Sequence, residues 1–328
     1  MGGGAWDSKL FDHARTTRAA AGIDDFDYSR RARAMGLGVH ATLDPVAKKI
    51  RESRDSAGHP NSFPAGVFFA VTGAMGMSPR VFQTQLGNVL MTLLIEKYGI
   101  KDAQVLIGAL GDGYADKLPI QVAEFESDNR IDDHLRNVNL EGGGGGGGRE
   151  SYGFAHYAAA RMIKHDHYEK RGGKGVLFTM GDEACWPTIP SDQAKRFLGI
   201  DIEEDLSVSD LIKEASAKWH IIHIVNADGS YQTQHADAWE KLLGTHGKVI
   251  ILQDHQDVAA MVAAHAADAY GVETDTVLAG LRSAGVSASA ISSVSRSLTT
   301  VSPGALARRG TVRGSLPATS GGGGATRI

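Results

Sequence analysis

Hydrophobic residues fall along this chain in short unbroken runs separated by amphipathic stretches. Residues 66–71 (GVFFAV), 104–110 (QVLIGAL), 175–180 (GVLFTM), 219–225 (WHIIHIV) and 249–252 (VIIL) show no alternation. Apolar runs of this length, bounded by turn residues, suit strands buried on both faces of a parallel sheet. A further short strand is expected at 120–123. Between the runs the apolar spacing is helical, as at Val81, Leu86, Val89, Leu90, Leu93 and Leu94, and at Ala155, Ala158, Ala159, Met162 and Ile163. Helices are also expected at 132–138, 192–198, 207–218, 236–243 and 258–270. Ser78 and Ser151 stand where N-caps belong, and Pro79 suits a first helical turn. Strand and helix thus alternate from about residue 64 to 271. That alternation predicts an α/β fold: a doubly wound, mostly parallel sheet with helices on both faces.

Outside that stretch the pattern weakens. Residues 1–62 are polar, with few apolar pieces, and are expected to be an N-terminal extension. The α/β domain occupies 63–273. Residues 274–300 form a short helical C-terminal extension, and 301–328, rich in Gly, Ser, Thr and Arg, are expected to be disordered. Charge adds one detail. The net charge is −4 over 328 residues, which gives no footprint for nucleic acid or an anionic membrane. After Asp275, however, acids cease while Arg282, Arg296, Arg308, Arg309, Arg313 and Arg327 remain. Nucleic-acid contact, if any, would come through this basic tail. The single cysteine, Cys185, permits no internal disulfide and reads as a small apolar filler rather than a nucleophile. With no secretory pattern at the start and no apolar run near the length of a membrane span, the expectation is a cytoplasmic protein without a membrane partner.

In a doubly wound sheet, ligands sit beyond the carboxyl ends of the strands. Three loops fall there: residues 70–76 after the first strand, the glycine-rich 142–151, and Gly181-Asp182-Glu183. The glycine run lacks the Gly-Lys-Ser/Thr ending of a phosphate loop, since Arg149-Glu150-Ser151 follows it. His220 and His223 are three apart in a strand and face opposite ways, which makes them poor co-ligands. His165-Asp166-His167 reads as a helix C-terminus, where a cationic His suits the dipole.

The order of these loops resembles the von Willebrand factor A (VWA) family. Residues 40–45 (HATLDP), 51–55 (RESRD), 125–130 (FESDNR) and 169–172 (EKRG) add likeness to a bacterial and phage subset of it. The resemblance implies a Rossmann-like fold whose metal-ion-dependent adhesion site holds Mg²⁺ with hard oxygen ligands and captures a partner's carboxylate. Carried over by position, Thr72, Ser151 and Asp182 would be the metal ligands, with Asp112, Glu150 and Glu183 as helpers. Ala70 stands where the family has its first Asp, and Ala74 where it has a second hydroxyl. One carboxylate and two hydroxyls should hold Mg²⁺ weakly, so the cofactor is doubtful. The resemblance implies a non-enzymatic module that binds an unidentified protein through the carboxyl-edge loops, with no catalytic residue. The alternatives are a metal-dependent hydrolase built on Asp112, Asp182 and Glu183, or a structural or assembly protein, viral sources included, whose tails do the binding.

Overall fold

The structure is a computed structural model that describes residues 4–23, 25–143, 147–227 and 235–299. The expectation for 301–328 therefore lies outside the described residues, as does the middle of the glycine run. Six strands make the central sheet: β1 Phe63–Ala70, β2 Ala103–Leu110, β3 Ile120–Glu126, β4 Gly175–Gly181, β5 Trp219–Asn226 and β6 Gly247–Leu252. Their spatial order is β6-β5-β4-β1-β2-β3. Every pair is parallel except β2–β3, which is antiparallel and shifts register between Leu106 and Gly108. The apolar runs are strands because β1, β2 and β4 are buried along their whole length, with cover on both faces. The fold is α/β, with the sheet flanked by helices.

Neighbouring rows of side chains show the two layers. Phe69 sits beside Met180 across β1 and β4, and its ring meets Phe82 of the helix Ser78–Thr92 edge-on at 6.1 Å. Helix Val258–Tyr270 packs on that same helix, and Thr274–Ser283 and Ala288–Thr299 pack on Val258–Tyr270. The adjacent row, Thr179 and His223, points the other way, where Tyr152 and Trp239 meet it. On that side lie Gly153–Tyr157 with its continuation Ala158–Met162, Val208–Ser216 and Ala236–Leu243. As the spacing predicts, His220 is exposed while His223 is fully buried.

Residues 4–62 lie over this frame. Helices Ser8–Ala20 and Asp27–Met35 are followed by a short strand, Arg51–Ser53, paired in parallel with Ile163–His165. Trp6, Phe11 and Leu43 join the core. Arg51 is 1% exposed, and its guanidinium donates to the carbonyls of Val122, Ala123 and Asp44 while facing Glu124 at 3.3 Å. Such satisfaction is what makes a buried arginine tolerable.

Three local expectations need correction. Ser78 begins its helix but does not cap it, because its hydroxyl accepts from the Asn226 amide at 2.9 Å instead. The Ser151 hydroxyl accepts from the backbone N–H of Gly113, at 2.8 Å, rather than from the first turn of its own helix. His165 ends a strand, not a helix, and its ring nitrogen accepts from the N–H of Tyr168 at the start of Asp166–Glu169.

Candidate functional site at the carboxyl edge

β1 has β2 on one side and β4 on the other, so the chain changes direction across the sheet at β1. Such a switch point leaves a crevice beyond the strand ends, because the connections on either side leave toward opposite faces. Thr72 follows β1, Asp112 follows β2, Asp182 and Glu183 follow β4, and Asn226 ends β5. The second loop is drawn in by a two-residue ladder in which Arg149–Glu150 runs parallel to Ala184–Cys185. Ser151 is fixed from both sides: its N–H donates to Gly111 O and its hydroxyl receives Gly113 N–H. The candidate ligands and helpers therefore lie at this end, and Thr72, Asp112, Glu150, Ser151, Asp182 and Glu183 are all buried.

What they do to one another differs from the expected metal geometry. The Thr72 hydroxyl donates to Oε1 of Glu150. Glu150, 1% exposed, is pushed up to about 8 by desolvation, with Asp182 and Glu183 adding to the shift and the Thr72 bond opposing it. Its other oxygen, Oε2, is buried without a hydrogen-bond partner, as are the Tyr152 hydroxyl and both carboxyl oxygens of Asp182. The Tyr152 hydroxyl lies beside the Glu150 carboxyl, near enough to bear on its protonation. It is also pressed on Gly181, where any Cβ would overlap it. Burial raises Asp182 above its ordinary value, and burial with Asp182 and Asp112 nearby pushes Glu183 up to about 7.

Asp112 has spent one oxygen on neighbours. Its Oδ1 accepts from Tyr114 N at 3.1 Å and from the Trp186 indole at 3.0 Å. Cys185 is buried, its thiol donates to Trp186 O, and burial pushes it up to about 12, which makes it the inert filler the sequence suggests.

Mg²⁺ ligation needs at least one free, ionised carboxylate among converging oxygens. Here Ala70 and Ala74 offer none, and burial beside the Thr72 hydroxyl favours the protonated form of Glu150. Among the described residues no group of three or more His, Cys, Asp or Glu could hold a metal ion. The residues as arranged do not fit the ion.

Sequence reasoning missed Tyr152, Tyr114 and Trp186. Tyr152 is the residue after a named candidate and Trp186 follows Cys185, but an isolated aromatic carries no spacing signal. Tyr114 and Trp186 form a tilted ring pair at 4.6 Å, with the Arg149 guanidinium 5.8 Å over the Trp186 ring. Below them His223 stacks on Trp239 at 3.5 Å, and His156 is buried with neither ring nitrogen partnered.

The strand order, the single antiparallel edge strand and three loops converging on one switch point settle the architecture. The arrangement is Rossmann-like and resembles the VWA fold. No protein-family model matches the chain, and no curated protein matches it in sequence. Among solved structures, the pilus adhesin SpaC from Lactobacillus rhamnosus GG in its open conformation is 8% identical, with TM-score 0.43, covering 64% of this chain and 30% of SpaC. The vWF domain of the type V pili tip protein Mfa5 from Porphyromonas gingivalis is 9% identical, with TM-score 0.41, over 64% of this chain and 95% of that domain. A von Willebrand factor type A protein from Catenulispora acidiphila is 14% identical, with TM-score 0.35, over 64% of this chain and 43% of the other. This chain thus spans less than half the length of SpaC. At such identities the likeness is one of fold, and it carries no activity across.

The VWA-like chain was expected to be cytoplasmic, and that assignment is withdrawn. The similar structures are a pilus adhesin, a pilus tip protein, a minor pilin and a mussel byssus thread matrix protein, not cytoplasmic components. The expectation rested on a missing leader pattern and a lone cysteine, neither of which fixes a compartment. No helix among the described residues is long and apolar enough to cross a membrane.

Proposed function

We propose that the protein is a non-enzymatic interaction module that engages a protein partner through the loops at the carboxyl edge of its sheet, without a bridging divalent metal. The observation that carries this reading is the Tyr114–Trp186 pair at the switch point. Tyr114 is 56% exposed, yet its backbone and its Trp186 neighbour are both pinned to Asp112. Large aromatics held rigid at the surface lose little entropy on binding and are enriched at interface hot spots, as is arginine, here Arg149. Met77, 63% exposed on the loop after β1, adds apolar area to the same edge. Thr72, Ser151 and Asp182 would have to hold an ion without the carboxylate and hydroxyl that Ala70 and Ala74 replace, so the partner contact is assigned to the rim rather than to an ion.

The test is affinity capture with the full chain, in EDTA and in Mg²⁺, comparing the wild type, Tyr114→Ser/Trp186→Ser, and Lys101→Glu at the opposite end of β2. The expected result is a set of proteins retained by the wild type and by Lys101→Glu in both buffers, and lost by the rim variant. Retention by the rim variant equal to the wild type refutes the reading.

A further inference from the structure

We infer that His156 and His223 form an acid-sensitive latch, which on acidification releases the helix Ala236–Leu243 from the sheet and with it the loop that carries Asp182 and Glu183. The inference stands apart from the interaction reading above, because it does not depend on what the carboxyl edge binds.

The two imidazoles gather around one indole on the same face of the sheet, and both are 0% exposed. The His223 ring lies flat on Trp239, with centroids 3.5 Å apart and planes at 14°, and Tyr152 meets both rings edge-on at 5.3 and 5.1 Å. His156 stands 6.3 Å from the same indole. Nδ1 of His223 shares a hydrogen bond with the Thr179 hydroxyl at 2.8 Å, while its Nε2 has no hydrogen-bond partner among the described residues. Neither ring nitrogen of His156 has one. That sets His156 apart from the other buried histidines described: His59, His165 and His265 each hold a ring-nitrogen hydrogen bond, and His134 faces Glu126 at 4.0 Å.

A proton on either ring would bury a cation that no carboxylate answers. Burial holds His156 down to about 4 and His223 well below its ordinary value, and His156 itself adds to the shift of His223. Glu150, Asp182 and Glu183, at the strand ends, bear on Tyr152 and not on either imidazole. The charged side chains of the covering helices lie outside: Arg161 pairs with Glu214 at 3.1 Å, and Asp210, Lys213, Asp237, Glu240 and Lys241 are exposed. From β4 the facing polar group is the Thr179 hydroxyl. Protonated rings must therefore reach water, and the least firmly held cover is Ala236–Leu243. It buries Trp239 and Leu243, whereas Gly153–Tyr157 is buried throughout and Val208–Ser216 buries Val208, Leu211, Ile212 and Ala215. Its indole also ties it to the carboxyl edge, since Trp239 Nε1 donates to Glu183 O at 3.0 Å. Once exposed, the histidines titrate near 6.5, so opening takes up protons and is favoured as pH falls through 6.5 toward 4. Glu150, Asp182 and Glu183 run the other way, because burial raises them.

The test is hydrogen–deuterium exchange of the full chain at pH 7.5 and pH 4.5, read by mass spectrometry and corrected for the intrinsic pH dependence of amide exchange. In the wild type the protection of Ala236–Leu243 should fall by about a hundredfold for each histidine that opening exposes. At pH 4.5 Val258–Tyr270, on the opposite face of the sheet, should still be protected when Ala236–Leu243 has exchanged. His156→Phe, and His156→Gln as a polar alternative, each remove one titration, so the fall between the two pH values should shrink by about a hundredfold. His13→Gln, at an exposed histidine on Ser8–Ala20, should leave it unchanged. Protection of Ala236–Leu243 that is indifferent to pH overturns the latch. So does exchange of Ala236–Leu243 only together with Val258–Tyr270, which would mean that acid acts through global unfolding alone. A fall in both His156 variants as steep as in the wild type overturns it as well. Should neither variant fold, the comparison of the two helices in the wild type decides.

Discussion

Glu150 makes the stability of this protein depend on pH in an unusual direction. In the unfolded chain it titrates near an ordinary glutamate value, 4.5, whereas in the folded protein burial moves it to about 8. Between those values the native state binds a proton that the unfolded state has released, so stability falls as pH rises. This contribution is intact below about pH 4.5, erodes across the interval, and is fully lost above about pH 8. At about 1.4 kcal/mol per unit, the whole displacement amounts to about 5 kcal/mol, an order-of-magnitude figure for so buried a group. Glu150→Gln keeps Oε1 as acceptor for Thr72 and removes the ionisation. Urea unfolding followed by tryptophan fluorescence, from pH 5 to pH 9, should show the two proteins within about 1 kcal/mol at pH 5 and the variant ahead by about 2 to 5 kcal/mol at pH 8.5. Glu183 and Asp182 shift in the same direction and stay in the variant, where losing the Glu150 charge eases them as well. Equal pH slopes for wild type and variant, or a variant weaker at pH 8.5, would refute the reasoning.

Further outcomes follow from the same contacts. Thr72→Val should cost about 1 to 3 kcal/mol at pH 6 by stripping the buried Glu150 oxygen of its donor, read as a lower urea midpoint with unchanged m. Gly181→Ala should destabilise by about 3 kcal/mol or more, because its methyl group overlaps the Tyr152 hydroxyl; a melting temperature within a degree of wild type would show the fit to be loose. In calorimetry with Mg²⁺ and Mn²⁺ the wild type should give no binding heat, whereas Ala70→Asp/Ala74→Ser should be destabilised in EDTA and rescued by either ion.

The sheet was legible because parallel strands covered on both faces must be continuously apolar, so β1, β2, β4 and β5 announce themselves as runs. The helix Val258–Tyr270 was legible from periodicity and is found with those bounds. Side-chain roles at strand ends were less legible. Ser78 and Ser151 look like caps by local grammar, but each hydroxyl is claimed by a residue far along the chain, Asn226 and Gly113. Local propensity cannot see a tertiary competitor for the same oxygen. The N-terminal stretch hid its helices for a related reason. Asp27–Met35 is polar almost throughout and buries only Tyr28, Ser29 and Ala32, so its apolar stripe is too thin to show as a period.

The candidate site was half legible, and the missing half explains the chemistry. Position by position, the resemblance marks Ala70 and Ala74 as places where ligand oxygens would be expected. It does not show that Glu150, brought in by pairing with Ala184–Cys185, stands next to the surviving hydroxyl of Thr72. A metal site must keep its carboxylates ionised, because cation and proton compete for the same lone pairs. Here burial favours the proton on Glu150, Asp182 and Glu183 alike. Beside Thr72 the carboxyl of Glu150 therefore stands as a hydrogen-bond acceptor whose burial favours the proton. With the proton favoured on Glu150 in this way, the partner contact proposed for this edge falls to the aromatics of the rim.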